Sequence, residues 1–137
     1  MRVPPALPVL LLLSFTLACS TPTEIPPPKR PNTELIVGDF ERRPPAGEMA
    51  MRFGGDGTFR FTKNRGELER TPYLANGTYK IDGDSLAFTA EKGQCAEQAK
   101  TGTYQVVVSK IGIRFKKVDD SCAERSRLDG QTLWRIK

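Results

Sequence analysis

The stretch GTYKIDGDSLAFT, residues 77–89, reads as a β-hairpin. Tyr79 and Ile81 alternate with polar neighbours, Asp82-Gly83-Asp84 interrupts the run, and Leu86 and Phe88 alternate on the way back. Side chains two apart on a strand share a face, so these four line one side. An Asp-Gly pair between two alternating runs is a strong hairpin signal. The same grammar extends to both sides. Met49, Met51 and Phe53 lead into Gly54-Gly55-Asp56-Gly57, and Phe59 and Phe61 return. Tyr104, Val106 and Val108 lead into Ser109-Lys110, and Ile111, Ile113 and Phe115 return. Gly57, Gly77 and Gly102 each open a Gly-Thr-aromatic strand, at spacings of 20 and 25 residues, the length of a hairpin plus its connection. The pattern predicts strands over 35–42, 48–54, 57–63, 77–82, 85–91, 102–109, 111–118 and 131–137, with room for a turn of helix in 64–76 and 119–130.

Successive hairpins make a meander of neighbouring antiparallel strands. Twisted strands with a single apolar face tend to close, because closure removes the unpaired edges. The expected fold is therefore all-β: an antiparallel, eight-stranded, up-and-down barrel over residues 34–137. Such a barrel has an interior just wide enough to be filled by side chains or to hold one small ligand.

Composition narrows the chemistry. The chain has 137 residues, 21 Lys and Arg against 16 Asp and Glu, and a formal charge of +5. The basic residues are scattered, which reads as a solvated surface, and no basic–aromatic stripe points to nucleic acid. Histidine is absent. That removes the commonest general base, metal ligand and partner of a Ser or Cys nucleophile, so the expectation is a non-enzyme without a cofactor. Asp82, Asp84, Asp119 and Asp120 are too few to satisfy calcium, which wants six to eight oxygens. Asp82 and Asp84 fit turn chemistry, and Asp119-Asp120 is expected to cap a turn or pair with Arg125. No metal site is expected.

The opening MRVPPALPVLLLLSFTLACS, residues 1–20, carries Arg2 before an apolar run that ends at Ala18-Cys19. That is a secretory signal peptide over residues 1–18. Residues 15–19, FTLAC, resemble the lipobox of bacterial lipoproteins. The resemblance implies cleavage before Cys19, acylation of its thiol and amino group, and membrane anchoring. Two or more acyl chains, palmitate among them, hold a protein stably on a bilayer. Ser20 resembles the signal for sorting to the outer membrane. Residues 19–33 then form an acylated Cys and a disordered, Pro-rich tether that could span roughly 40 Å. With Cys19 lipidated, Cys95 and Cys122 remain as a pair in an oxidising compartment. An even count there reads as a disulfide.

The folded part resembles the lipocalin-like domains of small bacterial lipoproteins. Residues 37–42, VGDFER, the hairpin at 77–89, and residues 118–125, VDDSCAER, before Trp134 carry the likeness. Lipocalins pack the Trp of a Gly-x-Trp in the first strand against an Arg from the end of the chain. Here Phe40 stands where that Trp would be, and Arg125, Arg127 or Arg135 could supply the cation.

Two functions follow as expectations. The first is a non-catalytic module of the cell envelope that binds a small apolar ligand in a cavity lined by Met49, Met51, Phe53, Phe61, Tyr79, Phe88, Tyr104, Phe115 and Trp134; methionines and aromatics make an adaptable lining. The alternative is a solid barrel that docks or inhibits an envelope protein through loops such as 64–76 and 91–101.

Overall fold

Alternating apolar residues and glycine-rich turns yield eight strands: β1 (Gly38–Arg42), β2 (Met49–Phe53), β3 (Thr58–Thr62), β4 (Ala75–Asp82), β5 (Ser85–Gly93), β6 (Thr101–Val108), β7 (Gly112–Asp120) and β8 (Thr132–Arg135). The structure, a computed structural model, describes residues 29–45 and 47–137 together with residues 2, 4 and 5. Cys19, the rest of the expected signal peptide and the tether before Lys29 lie outside the described residues. Each strand pairs antiparallel with the next, and β1 pairs with β8 through Phe40↔Arg135 and Glu41↔Trp134, so the barrel is closed. Single helical turns occur at α1 (Asn32–Leu35) and, in 3₁₀ form, at Arg65–Glu67 and Arg125–Leu128. The α1 turn spans the expected tether boundary, and the first strand begins at Gly38 rather than near residue 35. No helix among the described residues is long and apolar enough to cross a membrane.

The inward faces meet along one continuous aromatic array. Phe40, Phe53, Tyr79, Phe88, Tyr104, Phe115 and Phe59 are linked by ring contacts with centroids 5.0–6.2 Å apart, mostly edge to face. Each such pair contributes about 0.5–1.5 kcal/mol beyond the area it buries. Met49, Met51, Leu86, Val106, Val108, Ile113 and Leu133 fill the space between rings.

Two bulges shape the wall, at Asn76/Gly77 against β5 and at Thr103/Tyr104 against β7. A repeated glycine lies at the first and next to the second. A Cβ on Gly77 would sit 2.0 Å from Thr89 O, and one on Gly102 would sit 2.5 Å from Asp120 Oδ2. At Gly77 the facing backbone comes too close for a side chain, and at Gly102 the space is taken by the Asp120 carboxylate and the Arg125 guanidinium.

Two placements differ from the sequence reading. Trp134 is half-buried and faces outward, with Arg43 over its ring at 5.4 Å. Its neighbour Leu133 points inward and pairs with Ile113. Alternation in so short a strand permits either phase, and pairing with β7 selects Leu133. Ile111 precedes β7 in the turn and is exposed, whereas Ile113 and Phe115 are buried.

Candidate functional site

Eight up-and-down strands leave a barrel with two unlike ends. At one end lie the tight turns 54–57, 83–84 and 109–111, with α1 packed beside them. At the other lie the longer connections 43–48, 63–74, 94–100 and 121–131.

The tight-turn end is sealed. Leu35 and Ile36 are buried there, and Asn32 Nδ2 donates to Gly83 O at 2.8 Å. Arg135 lies over the Phe40 ring at 4.6 Å, so Arg135 is the cation among the three candidates. Its guanidinium donates to Val37 O (2.9 Å), Lys110 O (3.0 Å), Ser109 O (3.3 Å) and Leu35 O. One side chain thereby ties α1, the β6–β7 turn and the seam strand together. Gly38 makes the approach possible, since a Cβ there would sit 2.5 Å from Arg135 Nη1.

The loop-rich end is closed by a polar knot beside a disulfide. Cys95 and Cys122 are bonded with Cα atoms 5.7 Å apart, as the cysteine count predicts. Glu124 lies near both sulfurs, but bonded sulfurs offer no thiolate to a metal. Asp120, whose side chain is fully buried, forms a bidentate pair with Arg125 at 2.6 and 2.7 Å. Tyr104 OH donates to Asp120 Oδ2 at 2.5 Å, Cys122 N–H donates to Oδ1 at 2.9 Å, and Arg125 Nη2 reaches Ala99 O at 2.8 Å. Burial pushes the Asp120 carboxyl up, but the bonds from Arg125, Tyr104 and Cys122 N–H outweigh it and hold it below the usual carboxylate range. Burial, aided by Asp120, pushes the Tyr104 phenol well above its ordinary value. The expected Asp120–Arg125 pairing is therefore present. It braces the fold, since every group has a partner within the protein.

Of the expected cavity lining, Met49, Met51, Phe53, Phe61, Tyr79, Phe88, Tyr104 and Phe115 are all buried inside the barrel, and Trp134 is outside it. They pack against one another. The void beside Met51, Phe59, Phe61, Cys122, Arg125 and Leu128 holds only about 20 Å³, the size of one water molecule. Leu128, from the 3₁₀ turn after the disulfide, plugs the end that would be the mouth.

Outside that plug a surface cleft of about 400 Å³ opens, walled by Met49, Phe61, Lys63, Leu74, Gln94 and Arg127, with Glu48 at its edge. The sequence reading did not anticipate Arg42, which is 9% exposed and follows Phe40 on the inward face of β1. A charge at an inward position next to the end of a strand was its only signal. Along the outer wall the 63–74 connection lies over β1–β3. It buries Ala50, Thr62 and Leu68, and it brings Glu69 to Arg52, which also pairs with Asp39 at 2.7 Å.

Comparison with protein-family models, with curated proteins and with solved structures finds no match.

Proposed function

We propose that the chain is a non-catalytic, lipid-anchored module of a bacterial cell envelope. Its lipocalin-like barrel docks a protein partner instead of enclosing a small apolar ligand. The filled interior carries this reading. Ligand pockets usually span about 300–1,000 Å³, and the internal void beside Met51, Phe61 and Leu128 is about 20 Å³. The signal peptide, the lipobox-like residues 15–19 and the disulfide together favour an exported, anchored protein. The chain enters the barrel through α1 at the tight-turn end, opposite the four longer connections. The absence of histidine from the sequence supports a binding role over catalysis.

Two measurements test the proposal. Protein lacking residues 1–19, purified, denatured and extracted with organic solvent, is expected to release no stoichiometric lipid by mass spectrometry. A one-to-one lipid would restore the apolar-ligand reading. Full-length protein expressed in a two-membrane bacterium is expected in the membrane fraction, and Cys19→Ser in the soluble fraction. A variant that stays with the membrane would remove the acyl anchor from the account.

A further inference from the structure

The disulfide at the loop-rich end joins two unlike sulfurs. Cys122 is only 2% exposed, and the backbone N–H of Arg125 donates to its Sγ at 3.2 Å. Such a bond favours a thiolate over a thiol. Cys95 is half-buried and lines a surface cleft of about 390 Å³ together with Glu91, Lys92 and Glu97. Its Sγ lies 3.1 Å from Glu124 Oε2, against 3.6 Å for the Cys122 sulfur. A bonded sulfur has no S–H to give that carboxylate, and a thiolate at Cys95 would face its negative charge. Cys95 also holds a φ of +64°, and it is the one non-glycine residue with positive φ among those described. Side chains rarely adopt that conformation, and holding it stores strain.

We propose that Cys95–Cys122 is an exchange-active disulfide, thiolated at Cys95 by a thiol carried beside a positive charge. The attacking thiolate forms a bond to Cys95 Sγ. The Cys95–Cys122 bond breaks, and its electron pair leaves on Cys122 as a thiolate held by Arg125 N–H. One disulfide is exchanged for another, so neither oxidant nor reductant is consumed. The reverse attack is disfavoured twice. The Cys122 sulfur is shielded, and its attack would expel a Cys95 thiolate against Glu124, whereas the more acidic thiol leaves faster. The same carboxylate protects the adduct, because a second thiol that stripped it would also have to expel Cys95 as a thiolate. Glu91 and Glu97 outnumber Lys92 in the cleft, and Glu124 adds a third acid beside the sulfur, so a cationic thiol is attracted and an anionic one repelled. The thiol comes either from a small aminothiol or from a cysteine in a basic segment of a protein, and the site performs the same exchange with both.

In the test, full-length protein in detergent is treated with cysteamine, with 3-mercaptopropionate as its anionic counterpart, or with a blocked Lys-Cys-Lys peptide. The reaction is quenched with acid, free thiols are alkylated, and the products are mapped by peptide mass. Adducts are expected on Cys95 with Cys122 alkylated, in about tenfold excess over the opposite arrangement. Adducts from cysteamine identify a small aminothiol as sufficient, and adducts from the peptide alone identify a protein cysteine. The rate is expected to be first order in thiolate and flat in urea below the unfolding transition, because the native state reacts. Per thiolate, cysteamine is expected to react about threefold faster than 3-mercaptopropionate, the size of a screened surface-charge effect. Glu124→Gln, at an exposed position, is expected to remove most of that preference and to speed stripping of the adduct by a second thiol about threefold. No adduct with cysteamine or the peptide, adducts equal on both sulfurs or mainly on Cys122, a rate that climbs with urea as global unfolding requires, or a Glu124→Gln variant unchanged in both respects would overturn the proposal.

Discussion

At the scale of single residues, two buried arginines are held differently. Arg125 is held by Asp120 in a bidentate pair with Tyr104 and Ala99 completing the set, whereas Arg42 donates its Nε to Gly47 O within its own loop. Removing one partner of a buried pair leaves an uncompensated charge, at a cost of about 3–5 kcal/mol. Asp120→Ala is therefore expected to lower the unfolding free energy by that amount in urea titrations at neutral pH. The folded carboxyl is depressed. Its contribution is present above the unfolded value, near 4, and is lost as the pH falls through the folded value. The gap between wild type and Asp120→Ala should accordingly narrow in acid. A gap of constant size from neutral pH to pH about 2 would show that the carboxylate's charge contributes nothing.

At the scale of elements, the hairpins were written plainly in the sequence. Period-two alternation and glycine–aspartate turns located all eight strands, because each strand buries one face and each turn needs residues that tolerate its backbone. What the pattern could not supply were facts that depend on two strands at once. The phase of β8 is one: Leu133 against Trp134 was settled by pairing with Ile113. The bulges are another. Gly77 looked like the start of a strand, yet its lack of a side chain serves the close approach of Thr89 O at 2.0 Å from the would-be Cβ. Gly83, by contrast, has nothing within 4 Å and needs glycine only for its φ of +58°. Gly83→Ala is expected to cost about 1 kcal/mol. Gly77→Ala must displace backbone on the facing strand and is expected to cost more than about 3 kcal/mol. Equal melting temperatures for the two variants would contradict the assigned roles.

At the scale of the whole molecule, the pattern predicted which side chains point inward but not whether they fill the space. That depends on summed volumes and on the Leu128 plug, which comes from a connection with no periodicity. The surface cleft was hidden for a related reason, since Met49, Lys63 and Arg127 are brought together only by barrel closure. The same connection is stapled to the 94–100 loop by Cys95–Cys122, 27 residues apart in sequence. A bridge of that span contributes about 3–4 kcal/mol in the chain-entropy view. Reduction is expected to lower the denaturation midpoint by that free energy and to raise amide exchange first in 94–100 and 121–131. An unchanged midpoint would mean that the knot around Asp120 already fixes both loops.

The pairing of β1 with β8 has a consequence for timing. Arg135 reaches Val37 O across 98 residues of chain. While a polypeptide is still being delivered from its amino end, β1 has only one of its two neighbours, and its other row of backbone donors and acceptors stays open. The cylinder can seal only after β8 arrives, so contacts of this range should make folding slow for a domain of its size. A truncation that removes residues 132–137 would expose two sticky margins, on β1 and β7, and should yield soluble aggregates in place of a smaller folded barrel.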